Sequence, residues 1–212
     1  MSVDSGSGED LTGIAGDIAD AYEELAGGVL DDWSIRTIVG TMVPLLAALS
    51  VLQMVSGAVL ETFEDLLLEN PSLLILVPVQ IGTAGNLGSI MCSRLSTQLH
   101  LGTFELHPNN PEVRANSGAV LGLGVTVFVL VGFAAWGIGR ALGGTLSLVE
   151  VMTISLVSGM ALAVFVVVVS LGAVYTSYRL GYNPDDTTIP IVTNVCDITG
   201  VLILFAVVAV VL

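Results

Sequence analysis

Asp197 lies about ten residues into the apolar run Thr188 to Leu212, where nothing close to it in sequence can neutralise its charge. An ionisable group at membrane depth is costly, and it is retained where it lines a path for ions, protons or substrates. Pro190, Thr193, Asn194, Asp197 and Gly200 recur at helical spacing, forming one polar, small-residue stripe on a helix otherwise rich in Val, Leu and Ile. That stripe reads as the wall of a polar pathway.

A second stretch of the same kind runs Pro78, Val79, Gln80, Ile81, Gly82, Thr83, Ala84, Gly85, Asn86, Leu87, Gly88, Ser89. Glycines and a proline inside a membrane helix are expected to loosen its backbone, and freed carbonyls at that depth are tolerated only against protein or a water-filled cavity. Gly82, Gly85, Asn86, Ser89 and Ser93 share one face. Small residues so spaced also serve close helix packing. Asn86 argues for a pathway, because a buried amide needs partners and a packing motif needs none. Gly118 and Gly122 form a plainer GxxxG pair, for which packing is expected.

The elements that position these residues must cross a membrane. With 54% hydrophobic and 11% charged residues and a mean hydropathy of +0.92 over 212 residues, the chain carries more apolar surface than a soluble core can hide. Five runs near the ~20 residues of a bilayer span are present, roughly Arg36 to Leu60, Ser72 to Ser93, Ser117 to Gly139, Ser147 to Tyr175 and Thr188 to Leu212. The expected fold is an all-α integral membrane bundle of five transmembrane helices over residues 34–212. Residues 1–33 are expected to form a separate acidic cytoplasmic element. There Leu11, Ile14, Ile18, Tyr22, Leu25 and Val29 recur at intervals of three and four with acids between them, as in an amphipathic helix. It would either raise the cation concentration at a pore entrance or lie against the bundle with a solvated outer face. Its opening residues carry no basic region, so no secretory signal is expected.

The chain holds 19 Asp and Glu against five Arg, with no Lys, and nine of the acids fall within the first 32 residues. This balance fits a plain solvated acidic surface, and also a halophilic protein whose carboxylates hold water and counterions. Without Lys there is no Walker phosphate loop, Schiff base or cofactor-linking lysine. Neither nucleotide nor nucleic acid is expected as a partner, and powered transport by this chain alone is not expected. No nucleophile, base and orienting group fall together, so no enzyme activity is expected. Cys92 and Cys196 lack CxxC spacing and read as small buried hydrophobes. His100 and His107 read as surface loop residues, not zinc ligands.

Arginine placement orients the chain. With the amino terminus cytoplasmic, Arg36, Arg94, Arg114 and Arg179 fall inside and only Arg140 outside. Leu212 then lies outside, Glu61 to Asn70 becomes an acidic external loop, and Arg94 to Arg114 becomes the longest internal loop.

The run PVQIGTAGNLGSIMCSRLSTQLHLG, residues 78–102, resembles the second-helix motif of the MgtE-type magnesium channels and their eukaryotic solute-carrier relatives, in which P-x-x-x-G-x-x-G-N leads to R-L-S/A and a glycine. The run NPDDTTIPIVTNVCDITGVLILF, residues 183–205, is similar to that family's fifth helix, P-x-x-T-x-x-x-D-x-x-G. SGAVLETFE, residues 56–64, is a weaker third match at the end of the first span. The resemblance covers about residues 34–212.

It implies a homodimer in the cell membrane, with five helices per protomer and a path along the two-fold axis lined by the second and fifth helices. It makes Asp197 the ion-selecting carboxylate, with Thr193 facing the same path and Asn194 beside it. Gly82, Gly85 and Asn86 would supply carbonyls and an amide around the ion, with Ser89 on the same face. The transported ion would be hydrated Mg2+. Magnesium gives up water reluctantly and is commonly held through one or two carboxylates with several waters retained. Two copies of Asp197 match one divalent charge. The family's cytoplasmic sensor domains have no counterpart in the 212 residues, so closure by those domains is not carried over. A half-sized subunit pairing with a paralogous chain, and a non-conducting membrane packing subunit, are the alternatives. Asp197 speaks against the second, since a packing subunit gains nothing from a buried acid.

Overall fold

A computed structural model describes residues 35–102, 110–182 and 184–212, and among these the ordered structure is entirely helical. In chain order the helices are α1 (Ile35–Thr62), α2 (Glu64–Glu69), α3 (Pro71–His100), α4 (Pro111–Ala141), α5 (Leu148–Arg179) and α6 (Pro184–Val211). All but α2 are long and apolar enough to cross a membrane, with candidate spans at Met42–Thr62, Pro71–His100, Pro111–Ala141, Leu148–Arg179 and Thr187–Val211. The five expected spans are therefore all present. Several overrun the bilayer: the 30 residues of α3 rise about 45 Å. The amphipathic helix expected over residues 1–33 lies outside the described residues, as does His107.

Local chemistry sets the helix ends. α3 and α4 open on proline, whose missing N–H belongs among the unpaired donors of a first turn. Asn110 caps α4 by accepting from the Glu112 N–H at 2.9 Å. Ser147 and Glu150 form a capping box on α5, Glu150 accepting from the Ser147 N–H at 2.7 Å. α4 and α5 close alike. Gly143 (φ +89°) and Gly181 (φ +74°) take the left-handed conformation that an L side chain resists, while Gly144 and Tyr182 return N–H groups to Gly139 and Ser177.

The expected external loop at Glu61 to Asn70 is instead largely helical. α1 runs on to Thr62, and α2 follows after one residue. Glu64 and Asp65 favour the positive end of α2, while Leu67 is buried and Phe63 stacks on Phe205 with ring centroids 3.9 Å apart. These apolar contacts draw the segment onto the bundle. The loop expected over Arg94 to Arg114 is also shorter, since α3 continues to His100 and α4 starts at Pro111.

Residues 35–47 belong to one compact unit and Ala48–Leu212 form a second. In the first, the described residues are a run of α1 that contains Pro44. In the second, two apolar clusters hold the bundle. One gathers Leu87, Met91, Leu95, Phe128, Leu162, Val166, Val192 and Cys196, and the other Leu73, Leu76, Ala135, Ile154, Val201, Leu204 and Phe205. Cys92 and Cys196 are free thiols buried in the first cluster, as expected. Val125, Leu130, Phe133, Val157, Val164 and Val168 point outward. That arrangement suits a lipid surround, where outward apolar side chains carry no penalty.

Close packing falls on glycines other than those the GxxxG pattern singled out. Gly118 and Gly122 have nothing within 4 Å of where a Cβ would stand. By contrast, a Cβ on Gly124 would lie 3.3 Å from that of Ala163, one on Gly132 would lie 3.2 Å from the Cβ of Ser155, and one on Gly159 would enter the Phe128 ring. Both GxxxG glycines lie on the exposed side of α4, so within the chain they contribute nothing to helix approach.

Candidate functional site

α3 and α6 meet along a seam of small residues. A Cβ on Gly85 would stand 3.8 Å from Thr193 Cγ2, one on Gly88 only 2.8 Å from Val192 Cγ1, and one on Gly200 3.3 Å from Ile81 Cγ1. Residue numbers rise on one helix as they fall on the other, so the pair is antiparallel and its register is fixed. Asp197 lies between the Thr193–Gly85 and Gly200–Ile81 contacts, level with the turn of α3 that holds Gly82. Asn86 and Ser89 lie level with the turn around Asn194 and Pro190. The expected site residues thus fall at one stretch along the α3–α6 pair.

Their exposure differs. Gly85 is buried in the seam and Gly200 is packed against Leu162 and Ile81, so Gly200 leaves the polar stripe and belongs to the helix contact. Thr193, Asn194, Asp197 and Ser89 are half-buried, and Gly82, Asn86 and Ser93 are exposed. Asn86 is not the enclosed amide that its place in the sequence suggested. It stands on an open face of α3.

The backbone is also less loosened than expected. α3 runs without interruption through Pro78, so the carbonyl deprived of its helical donor is that of Leu74, one turn earlier, and not those of Gly82 or Gly85. The Gly85 carbonyl accepts a further hydrogen bond from Ser89 Oγ at 3.0 Å. On α6 the polar side chains fold back similarly. Thr193 Oγ1 lies 3.0 Å from the Ile189 carbonyl and 3.1 Å from that of Pro190, and Asn194 Nδ2 donates to the Pro190 carbonyl at 2.8 Å. With its N–H groups turned inward, Asn194 keeps its carbonyl oxygen as an acceptor.

Asp197 has a partner that its own segment does not supply. Gln53, in the middle of α1, donates from Nε2 to Asp197 Oδ2 at 2.5 Å. The contact joins the first and fifth spans across 144 residues of sequence. A signal was present: Gln53 is a lone amide between Leu52 and Met54 in an apolar span, and the rule that marked Asp197 applies equally to it. Two further polar links escaped notice. Gln80 Nε2 donates to Ser158 Oγ at 2.5 Å inside the bundle, and Arg94 Nε donates to the buried Asn116 Oδ1 at 2.5 Å. Glu150, at the edge of the fourth span, is engaged in capping α5.

Five long apolar helices and a polar seam bearing one carboxylate define a multi-pass membrane protein with an ionisable group at membrane depth. Residues 77–207 match the model of the MgtE family, described as divalent cation transporters, and the chain belongs to that family. It is 30% identical over 155 residues to the protein named magnesium transporter MgtE of Thermus thermophilus. The match covers 73% of this chain and 32% of that protein, so the chain spans about a third of its relative's length.

Proposed function

We propose that this chain moves hydrated Mg2+ across the membrane through a dimeric pore lined by α3 and α6, with the amino terminus cytoplasmic and the carboxyl terminus external. The observation that carries the reading is the register of the α3–α6 seam. It sets Asp197, Asn194 and Thr193 level with Gly82, Asn86 and Ser89, while the α3 side of that group stays open in a single chain. A second copy across a two-fold axis closes this face and brings two Asp197 carboxylates to one ion. Transport, not catalysis, is then the role of the polar seam.

The chemistry suits an ion that keeps its water. A Mg2+ aquo-ion presents water hydrogens, which need acceptors at modest spacing and not a tight cage. Asp197 supplies charge-assisted acceptors. Asn194 Oδ1, the Asn86 carbonyl and the hydroxyl oxygens of Thr193 and Ser89 supply neutral ones, and the Gly82 carbonyl retains a second lone pair beyond its helical bond. Charge attracts the ion, while neutral acceptors hold it weakly enough to leave, as conduction requires. Gly85 contributes space for Thr193.

Reconstituting the purified chain alone in liposomes tests this reading, with external Mg2+ as the driving gradient and no sodium. The expected result is Mg2+ entry that Asp197→Asn removes while the variant remains a folded dimer. Entry at the parent rate through Asp197→Asn overturns the assignment. Flux that appears only when a paralogous chain is added overturns the homodimer.

A further inference from the structure

Gln53 stands out because α1 otherwise offers the bundle little that is polar. Over residues 49–63, Leu49 is buried, Gln53, Ser56, Leu60 and Phe63 are half-buried, and Ser50, Val51, Leu52, Met54 and Val55 are exposed. Leu49, Gln53, Ser56, Leu60 and Phe63 follow the four- and three-residue spacing of one helix edge. Any apolar side chain would serve that edge for packing. An amide there is costly unless it finds a partner. Its partner is the carboxylate on which the proposed pore depends.

We infer that Gln53 is a positioning residue that sets the cation preference of Asp197, an inference that rests on the ion path described under Proposed function. The 2.5 Å bond from Nε2 engages Oδ2 and leaves Oδ1 as the acceptor free for an ion. Two consequences follow. The carboxylate is held in one orientation before an ion arrives, so ion entry does not have to order it. With Oδ2 occupied, Asp197 cannot readily grip a metal through both oxygens. Bidentate carboxylate binding is a habit of Ca2+, which sheds water easily and accepts many oxygen ligands, whereas Mg2+ keeps its waters and needs only outer acceptors. Gln53 therefore favours the hydrated smaller ion twice, by presenting one oxygen to its waters and by withholding the chelate from its competitor.

The experiment is Mg2+ flux into liposomes through the parent, Gln53→Met and Asp197→Asn, titrated with Mg2+ and then with Ca2+ as competitor. Met matches the length of Gln, suits a membrane helix and donates no hydrogen bond. Gln53→Met is expected to raise the half-saturating Mg2+ concentration about ten-fold, the scale of one hydrogen bond to a charged group. It should also lower the Ca2+ concentration that halves Mg2+ entry relative to the Mg2+ half-saturation. A merely structural role would lower the amount of folded protein without moving that ratio. Gln53→Asn, whose donor falls one methylene short, carries the same expectation and replaces the Met variant if the latter does not fold. Parent-like half-saturation and Ca2+ competition in a folded variant overturn the inference, provided that Asp197→Asn abolishes entry. Parent-like entry through Asp197→Asn instead defeats the underlying ion path.

Discussion

Across the α4–α5 seam, glycine meets hydrocarbon. Gly159 lies under the Phe128 ring, Gly124 lies against Ala163, and Ser155 Oγ, beside Gly132, is spent on the Phe128 carbonyl at 2.8 Å. Across the α3–α6 seam the same small residues meet polar ones. Gly85 admits Thr193, and the turns on either side carry Asn86, Ser89, Asn194 and Asp197 with acceptors still unused. Glycine in a membrane helix thus marks close approach in both places. What distinguishes the packing seam from the proposed pathway is that the neighbouring polar side chains are consumed inside the bundle in one and turned to an open face in the other.

The largest expected effects come from striking each seam at its centre. Asp197→Asn keeps the size of the side chain and much of its hydrogen bonding but removes the charge, so Mg2+ flux should fall below detection while the melting temperature holds or rises. A buried carboxylate without a counter-charge is itself a burden on stability. Mg2+ should raise the melting temperature of the parent and not of the variant, because only a ligand bound to the folded state stabilises it. Gly159→Leu should do the reverse. Its side chain would overlap Phe128, and overpacking of this kind costs about 1–3 kcal/mol, read as a lowered melting temperature. Flux per folded molecule should survive. Loss of flux with unchanged melting in Gly159→Leu would make the α4–α5 seam part of the path.

A smaller effect belongs to Asn86→Leu. The residue is exposed on α3, so the apolar replacement disturbs no contact within the chain, and melting should be unchanged. Flux should drop several-fold, because an acceptor for the ion's waters becomes a hydrocarbon wall. Parent-like flux in this variant would confine the path to α6.

The two seams were not equally legible in sequence. The number and order of the spans followed from apolar run length, and Asp197 followed from its cost in a bilayer, because both properties belong to single segments. The register that sets the Gly82 turn level with Asp197 does not belong to either segment. It emerges from which glycine admits which side chain, Gly85 to Thr193 and Gly88 to Val192, and the two motifs alone do not contain it. Gln53 was missed for the same reason, since its partner lies on another helix. The short helix at Glu64–Glu69 was missed because its acids pointed to a loop, whereas Leu67 and Phe63 pack it onto the bundle. Spacing alone misled at Gly118 and Gly122, where the pattern of a packing motif occurs on an outward face.

That last pair gives the smallest and most discriminating test of the comparison. Gly122→Ala places a methyl group where nothing lies within 4 Å, so no contact in the chain is strained. In an exposed helix in water the change would gain up to about 1 kcal/mol from helix propensity. In a bilayer the unfolded reference keeps its backbone bonds within the helix, and that gain largely disappears. Melting temperature, dimer fraction in detergent and Mg2+ flux should all match the parent, whereas Gly124→Ala, whose methyl would press on Ala163 at 3.3 Å, should lower the melting temperature. A fall in the dimer fraction of Gly122→Ala, with melting of the single chain unchanged, would move the GxxxG pair onto the surface between copies. The face of α4 would then carry a third kind of seam, closed only by assembly.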